Sequence, residues 1–177
     1  MIYKTVLDMK ILSLLLIGCL LLTACDKSSQ QQAQFVPAVI ENGDECHLCG
    51  MIIQNFPGPK GQAFIKHHEP ALKFCSTVDL FSWLLQPETP AILQTAFVHD
   101  MAAAPSWQKP SEAHYVKATE AWYVVGHKLK GAMGHTLASF RNKSDAEGFA
   151  KKHGGRLLPF DGINLDVLAG LNRMNSH

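Results

Sequence analysis

The same order of predicted secondary structure occurs twice along the chain, and this repeat strongly constrains the fold. In the first half, strands are predicted at 49–53, 62–66 and 94–99, with a helix before the last strand that Ser76 or Thr77 caps and Pro87 ends. In the second half, strands are predicted at 121–125, 137–140 and 156–160, with a helix at 144–152 and a shorter one at 165–171. Two strand-strand-helix-strand segments predict an α+β fold: two similar small ββαβ units with antiparallel sheets and helices packed on them.

The first 24 residues have the composition of a secretory signal peptide. Lys4 and Lys10 supply positive charge, and an apolar run of twelve residues occupies 11–22. Such a run is too short to cross a bilayer as a helix, which needs about 20 apolar residues. It ends in Leu22-Thr23-Ala24-Cys25, which resembles the lipobox of bacterial lipoproteins. The resemblance implies that Cys25 is lipidated and becomes the first residue of the mature protein.

The stretch after Cys25 is typical of a tether between a membrane and a folded domain. Residues 27–34 (KSSQQQAQ) are polar, low in complexity and without apolar periodicity. Asp26 favours retention in the inner membrane in some bacteria, and the outer membrane stays open as an alternative. The predicted organisation is a signal peptide (1–24), a lipidated cysteine with a flexible tether (25–44), a first ββαβ unit (45–104), and a second unit with a C-terminal segment (105–177).

The charge balance argues against two classes of partner. The chain has 16 basic and 15 acidic residues, and removal of residues 1–24 leaves 14 of each. A neutral mature chain gives no electrostatic support for binding to nucleic acid or to an acidic membrane surface. We therefore expect no nucleic-acid partner.

Three of the five cysteines belong to the mature domain, namely Cys46, Cys49 and Cys75. An odd number of thiols in an exported protein argues against a simple disulfide framework and leaves at least one thiol free. Cys75 lies in an apolar context before a predicted helix, which favours a small buried side chain.

The run Cys46-His47-Leu48-Cys49-Gly50-Met51 gathers two thiols, an imidazole and a thioether, which are soft donors suited to Cu(I). A c-type haem site is disfavoured because Gly50, rather than a histidine, follows the second cysteine. A thioredoxin-like redox pair is disfavoured because a strand, rather than a helix, is predicted next. A structural zinc site needs a second paired spacing of ligands, which His67, His68 and Cys75 do not supply.

A copper site is the fourth interpretation of this run. In an extended segment, Cys49 and Met51 point to the same face, where His47 can join them, whereas Cys46 points elsewhere. Met133 lies between small residues in a run from Gly131 to Gly134, which favours an accessible position over core packing.

Four motifs, together with the lipobox, resemble those of the NosL family, accessory lipoproteins of nitrous oxide reductase maturation. In order, they are Cys46-x-x-Cys49-Gly50-Met51, Trp122-Tyr123-Val124-Val125-Gly126, Gly131-Ala132-Met133-Gly134 and Phe149-Ala150-x-x-His153-Gly154-Gly155. The resemblance covers most of the chain from Cys46 to about Phe160. It implies a Cu(I)-binding metallochaperone, and no enzyme, anchored by lipid on the periplasmic side of a bacterial membrane. The partners it implies are the apo form of nitrous oxide reductase and its maturation machinery.

The resemblance also implies the copper ligands. Matched motif to motif, Cys49 and Met51 from the first half and Met133 from the second bind Cu(I). Weaker candidates are Cys46, His47, His135, which follows Met133-Gly134, and Met101, which stands where an aromatic residue commonly follows Asp100.

Two other function classes stay open at the level of sequence. A periplasmic thiol-disulfide oxidoreductase would use Cys46 and Cys49 as its redox pair. A structural zinc module would hold its metal without delivering it. The other histidines, such as His127 and His153, are more typical of surface or helix-end positions than of ligands.

Overall fold

The computed structural model describes residues 35–175, so the predicted signal peptide and Cys25 lie outside the described part of the chain. Its first half contains, in order, β1 (Gly61–Ile65), β2 (Leu72–Phe74), α1 (Thr77–Leu84), α2 (Thr89–Ile92), β3 (Leu93–His99) and β4 (Tyr115–Lys117). Its second half contains β5 (Trp122–Val125), β6 (Lys130–Gly131), β7 (Gly134–His135), β8 (Ala138–Phe140), α3 (Lys143–His153), β9 (Arg156–Pro159) and α4 (Leu165–Asn175). Within residues 35–175, no helix combines the length and the apolar character needed to cross a membrane.

The two larger sheets are antiparallel and share one arrangement. The first has the strand order β2-β1-β3-β4, and the second has the order β8-β5-β9. In each unit the first strand lies between the second strand and the third, and a helix connects the second strand to the third. The predicted α+β fold of two ββαβ units is therefore confirmed, with β4 and the β6–β7 hairpin as additions. The boundary between residues 104 and 105 stays a prediction.

Helix α1 contributes to a core that both units share. Its Leu80 lies against Gly61 of β1, where a Cβ atom would stand 2.7 Å from the leucine side chain. Its Phe81 ring meets the Tyr123 ring of β5 edge-on, with 5.0 Å between centroids. All three large side chains are at most 1% exposed, and burying one such side chain stabilises the fold by about 2–3 kcal/mol. The two sheets are thus held together by common apolar packing.

The predicted strand at 49–53 is wrong. Gly50 has a φ of +72°, in the left-handed region, and it turns the chain between Cys49 and Met51. The Cys46 N–H donates to the Met51 carbonyl at 2.9 Å, and the Gly50 N–H donates to the Cys46 carbonyl at 2.8 Å. These bonds close a tight turn, so Cys49 and Met51 do not share the face of a strand, and β1 and β2 open the first unit instead.

Two limits of predicted helices also differ. Asn142 caps α3, rather than Ser144, and its side-chain amide donates to the Asp145 carboxylate at 2.9 Å. Helix α4 continues past Leu171 to Asn175. Leu168 and Leu171 on this helix are buried, so tertiary packing supports a helix that local propensity alone predicts only weakly.

One face of the first sheet is covered by the chain that leads into the cysteine motif. The Gln62 side chain bonds both backbone groups of Ala38, at 2.9 Å to the N–H and 2.6 Å to the carbonyl. Ile40 is 1% exposed, and its N–H donates to the Glu112 carboxylate at 3.1 Å. These bonds hold part of the predicted tether (25–44) against the domain. The chain then continues towards β2.

Candidate metal centre

Three thiols and one carboxylate converge at the end of β2. The sulfur atoms of Cys46, Cys49 and Cys75 and an oxygen of Asp79 all lie within 4.8 Å of one another. Among them, the sulfurs of Cys49 and Cys75 are 3.5 Å apart. Such a set of donors can hold a single metal ion, because sulfur and carboxylate ligands surround a metal at about 2.0–2.3 Å.

The turn from Cys46 to Met51 gives the two cysteines of the motif different surroundings. The His47 N–H donates to the Lys73 carbonyl of β2 at 2.8 Å, which fixes the turn beside the end of that strand. Cys46 is 2% exposed and points into the protein, whereas Cys49 is exposed. One thiol is therefore interior and the other faces solvent.

Cys75 and Asp79 come from the start of α1. Ser76 caps this helix, because its hydroxyl accepts the Asp79 N–H at 3.1 Å and donates to the Asp79 carboxylate at 2.6 Å. The Cys75 thiol donates to the same carboxylate at 3.1 Å, so Asp79 fixes the orientation of both side chains.

The three thiols differ in pKa because their surroundings differ. Hydrogen bonding from Cys75, together with backbone N–H groups, lowers the pKa of the Cys46 thiol to about 5 against the effect of burial. The pKa of the Cys75 thiol is raised by the adjacent Cys46 sulfur, by burial and by the Asp79 carboxylate. Partial burial raises the pKa of the Cys49 thiol. Cys46 is therefore the most acidic of the three thiols.

The structure brings Cys49 and the weaker candidate Cys46 into this cluster, whereas His47 lies outside it. Met51 is half-buried and packs against the main core. The His47 ring turns towards Phe74 and Trp83, at 5.8 and 6.2 Å between centroids.

The candidates from later in the chain occupy two different places. Met133 is 53% exposed and lies in the turn between β6 and β7. On β7, the Nδ1 atom of His135 is 3.3 Å from the His127 carbonyl oxygen. Met101 packs against a smaller core cluster around Val124 and Phe140. The predicted ligands therefore lie on separate elements, and in residues 35–175 the cysteine cluster brings thiol and carboxylate donors together.

Two members of the cluster were absent from the predicted ligand set. Cys75 is buried as expected, but its thiol contacts two polar groups, so its role is not that of a small apolar side chain. Asp79 appears in the sequence only as an acidic residue in the first turn of a helix. The available signal was the spacing Cys75-Ser76-x-x-Asp79, in which a thiol lies just before a helix and a carboxylate lies in its first turn.

His127 does not occupy the surface position that its sequence context favours. It is 1% exposed, its Nδ1 accepts the Leu129 N–H at 3.2 Å, and its ring meets those of Trp107 and Phe149 edge-on at 5.2 and 5.1 Å. Burial, with smaller contributions from His135 and His153, lowers the pKa of His127 to about 4. The residue is therefore a neutral core side chain at physiological pH.

The known proteins that this chain matches agree on one family. A sequence model of the NosL family matches residues 37–168. A copper-binding lipoprotein NosL from Stutzerimonas stutzeri is 47% identical over 147 residues, which cover 83% of this chain and 76% of that protein. A copper-binding lipoprotein NosL from Achromobacter cycloclastes is 32% identical over 140 residues, covering 78% and 72% of the two chains. The crystal structure of the copper chaperone NosL from Shewanella denitrificans matches with a TM-score of 0.70 and 48% identity, over 73% of this chain and 96% of that one.

Proposed function

This chain belongs to the NosL family, and on that premise we propose that it binds Cu(I) and delivers it, as a metallochaperone, to nitrous oxide reductase during maturation of the copper centres. The observation that carries the proposal is the cluster of three thiols and one carboxylate, in which the Cys49 thiol is exposed. Relatives named as copper-binding lipoproteins and as a copper chaperone support a binding role rather than an enzymatic one.

The donor set of the cluster suits Cu(I) as a cargo. Cu(I) is a soft ion that prefers thiolate and thioether sulfur to oxygen. Cys46 supplies a thiolate near neutral pH, because its pKa is lowered to about 5, and Cys49 supplies a sulfur that solvent can reach. The Asp79 carboxylate already accepts hydrogen bonds from Cys75 and Ser76, so its role is to orient sulfur rather than to bind copper.

Met51 and Met133 are the thioether ligands of the proposed site. A thioether cannot form a disulfide, so it leaves a copper site usable in an oxidising compartment. Met133 is exposed on its hairpin, and the exposed Cys49 presents a thiol. We infer that an acceptor protein meets these two sulfurs first and removes Cu(I) by stepwise ligand exchange.

The proposed location is the periplasmic side of a bacterial membrane. The lipobox at Leu22 to Cys25 provides the lipid anchor, and the word lipoprotein in the names of two relatives supports it. The tether after Cys25 would let the domain approach an acceptor while it stays attached to the membrane.

Competition with a chromophoric Cu(I) chelator tests the proposal. We expect Cys49→Ala and Met133→Ala each to lower the affinity for Cu(I) by on the order of tenfold or more. Met174→Ala is the matched control, because Met174 is also exposed but lies on α4, and it should keep the affinity of the unmodified protein. Copper-loaded protein should also transfer Cu(I) to apo nitrous oxide reductase. Unchanged affinity in both the Cys49 and the Met133 variants would refute the ligand assignment.

A structural zinc module is the second candidate function. The three thiols and the carboxylate form a four-donor set, and Zn²⁺ takes four such ligands in structural sites. Metal analysis after purification without added metal separates the candidates. A purely structural zinc protein would contain tightly held Zn²⁺ and would transfer no Cu(I) to the acceptor.

A thiol-disulfide oxidoreductase receives less support from the geometry. Such an enzyme needs a low-pKa thiol that its substrate can reach. Here the low pKa belongs to the buried Cys46, whereas the exposed Cys49 has a raised pKa. A lack of thiol-disulfide exchange activity in the unmodified protein would exclude the enzyme, and Cys46→Ser should abolish any such activity.

A further inference from the structure

A buried threonine connects the cysteine cluster to the second ββαβ unit. Thr77 is the first residue of α1, two positions after Cys75, and is 0% exposed. Its hydroxyl donates to the Leu137 carbonyl at 2.7 Å and accepts the Leu137 N–H at 3.2 Å. Its oxygen also lies 2.9 Å from the hydroxyl oxygen of Thr136. A single side chain thus bonds one unit to the other over about 60 positions of sequence.

Thr136 lies at the base of the hairpin that carries Met133. It directly follows β7, three positions after the methionine. Gly131 of β6 packs against it so closely that a Cβ atom there would stand 3.0 Å from the Thr136 side chain. Gly131 also pairs with Gly134 across the hairpin. Both strands of the hairpin are therefore fixed relative to Thr136, and Met133 lies in the turn between them.

On its other side, Thr77 is fixed relative to the thiols. Ser76 caps α1, and Cys75 before it contacts Cys49 at 3.5 Å and Asp79 at 3.1 Å. A continuous series of contacts therefore connects the Met133 turn to the Cys75 sulfur, through Thr136 and Thr77. The N–H and the carbonyl of Leu137 are buried, and both bond to the Thr77 hydroxyl. Breaking these bonds would leave two buried polar groups unpaired, so the observed arrangement is strongly favoured.

We propose that Thr77 is the positioning residue that sets the Met133 hairpin relative to the cysteine cluster, so that thioether and thiolates bind the same Cu(I) ion. The proposal deepens the copper-binding function and rests on it. A ligand arriving from a separate element must be held to within about 0.5 Å of its productive position. The hydroxyl of Thr77 provides that restraint without contacting the metal.

Thr77→Val tests this role, because valine keeps the shape of threonine and lacks the hydroxyl. We expect the variant to lose Cu(I) affinity by on the order of tenfold in chelator competition, the scale of other changes behind metal ligands. Thr77→Ser should restore it. Affinity for Zn²⁺, which binds thiolate and carboxylate rather than thioether, should stay within about twofold of the unmodified protein. Equal weakening of both metals would overturn the proposal, since it would indicate general damage to the cluster.

A double variant gives a second criterion. If Thr77 acts through Met133, Thr77→Val in a Met133→Ala background should cause little further loss of Cu(I) affinity. Additive losses would overturn the proposal. If Met133→Ala weakens binding and Thr77→Val does not, the proposed function stands and the positioning role fails. If the unmodified protein binds no Cu(I), the proposed function itself fails.

A measurement without metal keeps the positioning role testable in either case. In protein labelled with ¹³C at the methionine methyl groups, Thr77→Val should shift or broaden the Met133 resonance. The Met174 resonance, from the exposed methionine on α4, should not change. Thr136→Val removes the hydroxyl on the other side of the contact and serves if the Thr77 variant does not fold. An unperturbed Met133 signal in a folded variant would overturn the proposal.

Discussion

The sulfur atom of Cys75 lies 3.5 Å from that of Cys49, although 26 positions separate the two residues in the chain. The contact arises because the turn from Cys46 to Met51 is bonded to β2, whose last residue directly precedes Cys75. A third thiol is thereby added to a two-cysteine motif. This relationship makes the centre richer in sulfur than the motif itself indicates.

We predict that Cys75→Ala lowers the affinity for Cu(I) by on the order of tenfold or more, since it removes a soft donor from the cluster. Cys75→Ser should cause a similar loss. Serine keeps a hydrogen-bond donor for Asp79, so a similar loss would assign the effect to sulfur rather than to the bond. Chelator competition measures both variants. An affinity equal to that of the unmodified protein would show that Cys75 does not bind the metal.

His127 should make stability depend on pH. Its pKa is lowered from 6.5 to about 4 in the folded protein, so between these values the unfolded chain binds more protons than the folded one. The contribution is therefore complete above pH 6.5 and is lost as the pH falls to about 4, with a total of about 3 kcal/mol. Denaturant unfolding of the apo protein across this range measures it.

The matched comparison for this prediction is His127→Asn, whose side-chain oxygen can accept the Leu129 N–H in place of Nδ1. In this pH range, the free energy of unfolding of the variant should depend less on pH, by the equivalent of about one proton taken up on unfolding. An unchanged slope in His127→Asn would contradict the assignment.

Glu112→Ala should loosen the chain that leads into the cysteine motif. The carboxylate accepts the Ile40 N–H and the Tyr115 hydroxyl, each at 3.1 Å, and their loss should cost about 1–3 kcal/mol. Hydrogen exchange at the Ile40 amide should accelerate. The control is Glu120→Ala, which removes an exposed ion pair with Lys117 and should cost less than about 1 kcal/mol. If the Ile40 amide exchanges at the same rate in the Glu112 and Glu120 variants, Glu112 does not hold this part of the chain.

Two glycines near each other in sequence should respond to alanine in opposite directions. Gly155 has a φ of +99°, and a Cβ atom there would stand 2.6 Å from the Val125 carbonyl oxygen, so Gly155→Ala should destabilise the protein by more than about 2 kcal/mol. Gly148 lies inside α3 with open space around it, so Gly148→Ala should stabilise by about 0.5–1 kcal/mol. Thermal or denaturant unfolding gives both signs, and a stabilising Gly155→Ala would contradict the close approach.

The fold was accessible from sequence because its signals are local. The run of aromatic and β-branched residues from Trp122 to Val125, the cap at Ser76 and the glycines after α3 are each signals that depend on a few neighbouring residues. They predict the order of elements in the two ββαβ units, although β2 takes the place of the strand predicted at 49–53. The strand predicted at Cys49 to Ile53 failed because β-branched residues there favour extension, whereas Gly50 adopts a left-handed conformation that tertiary bonds to β2 support.

The sequence by itself determined the order of elements, the soft character of the cysteine motif and the resemblance to the NosL family. Only the tertiary structure decided that Cys75 and Asp79 join this motif, that Cys46 rather than Cys49 carries the low pKa, and that His127 is buried. The physical reason is that these properties depend on the packing of elements that are distant in the chain. Periodicity and spacing describe one element at a time, whereas a donor cluster and a shifted pKa arise where several elements exclude water together.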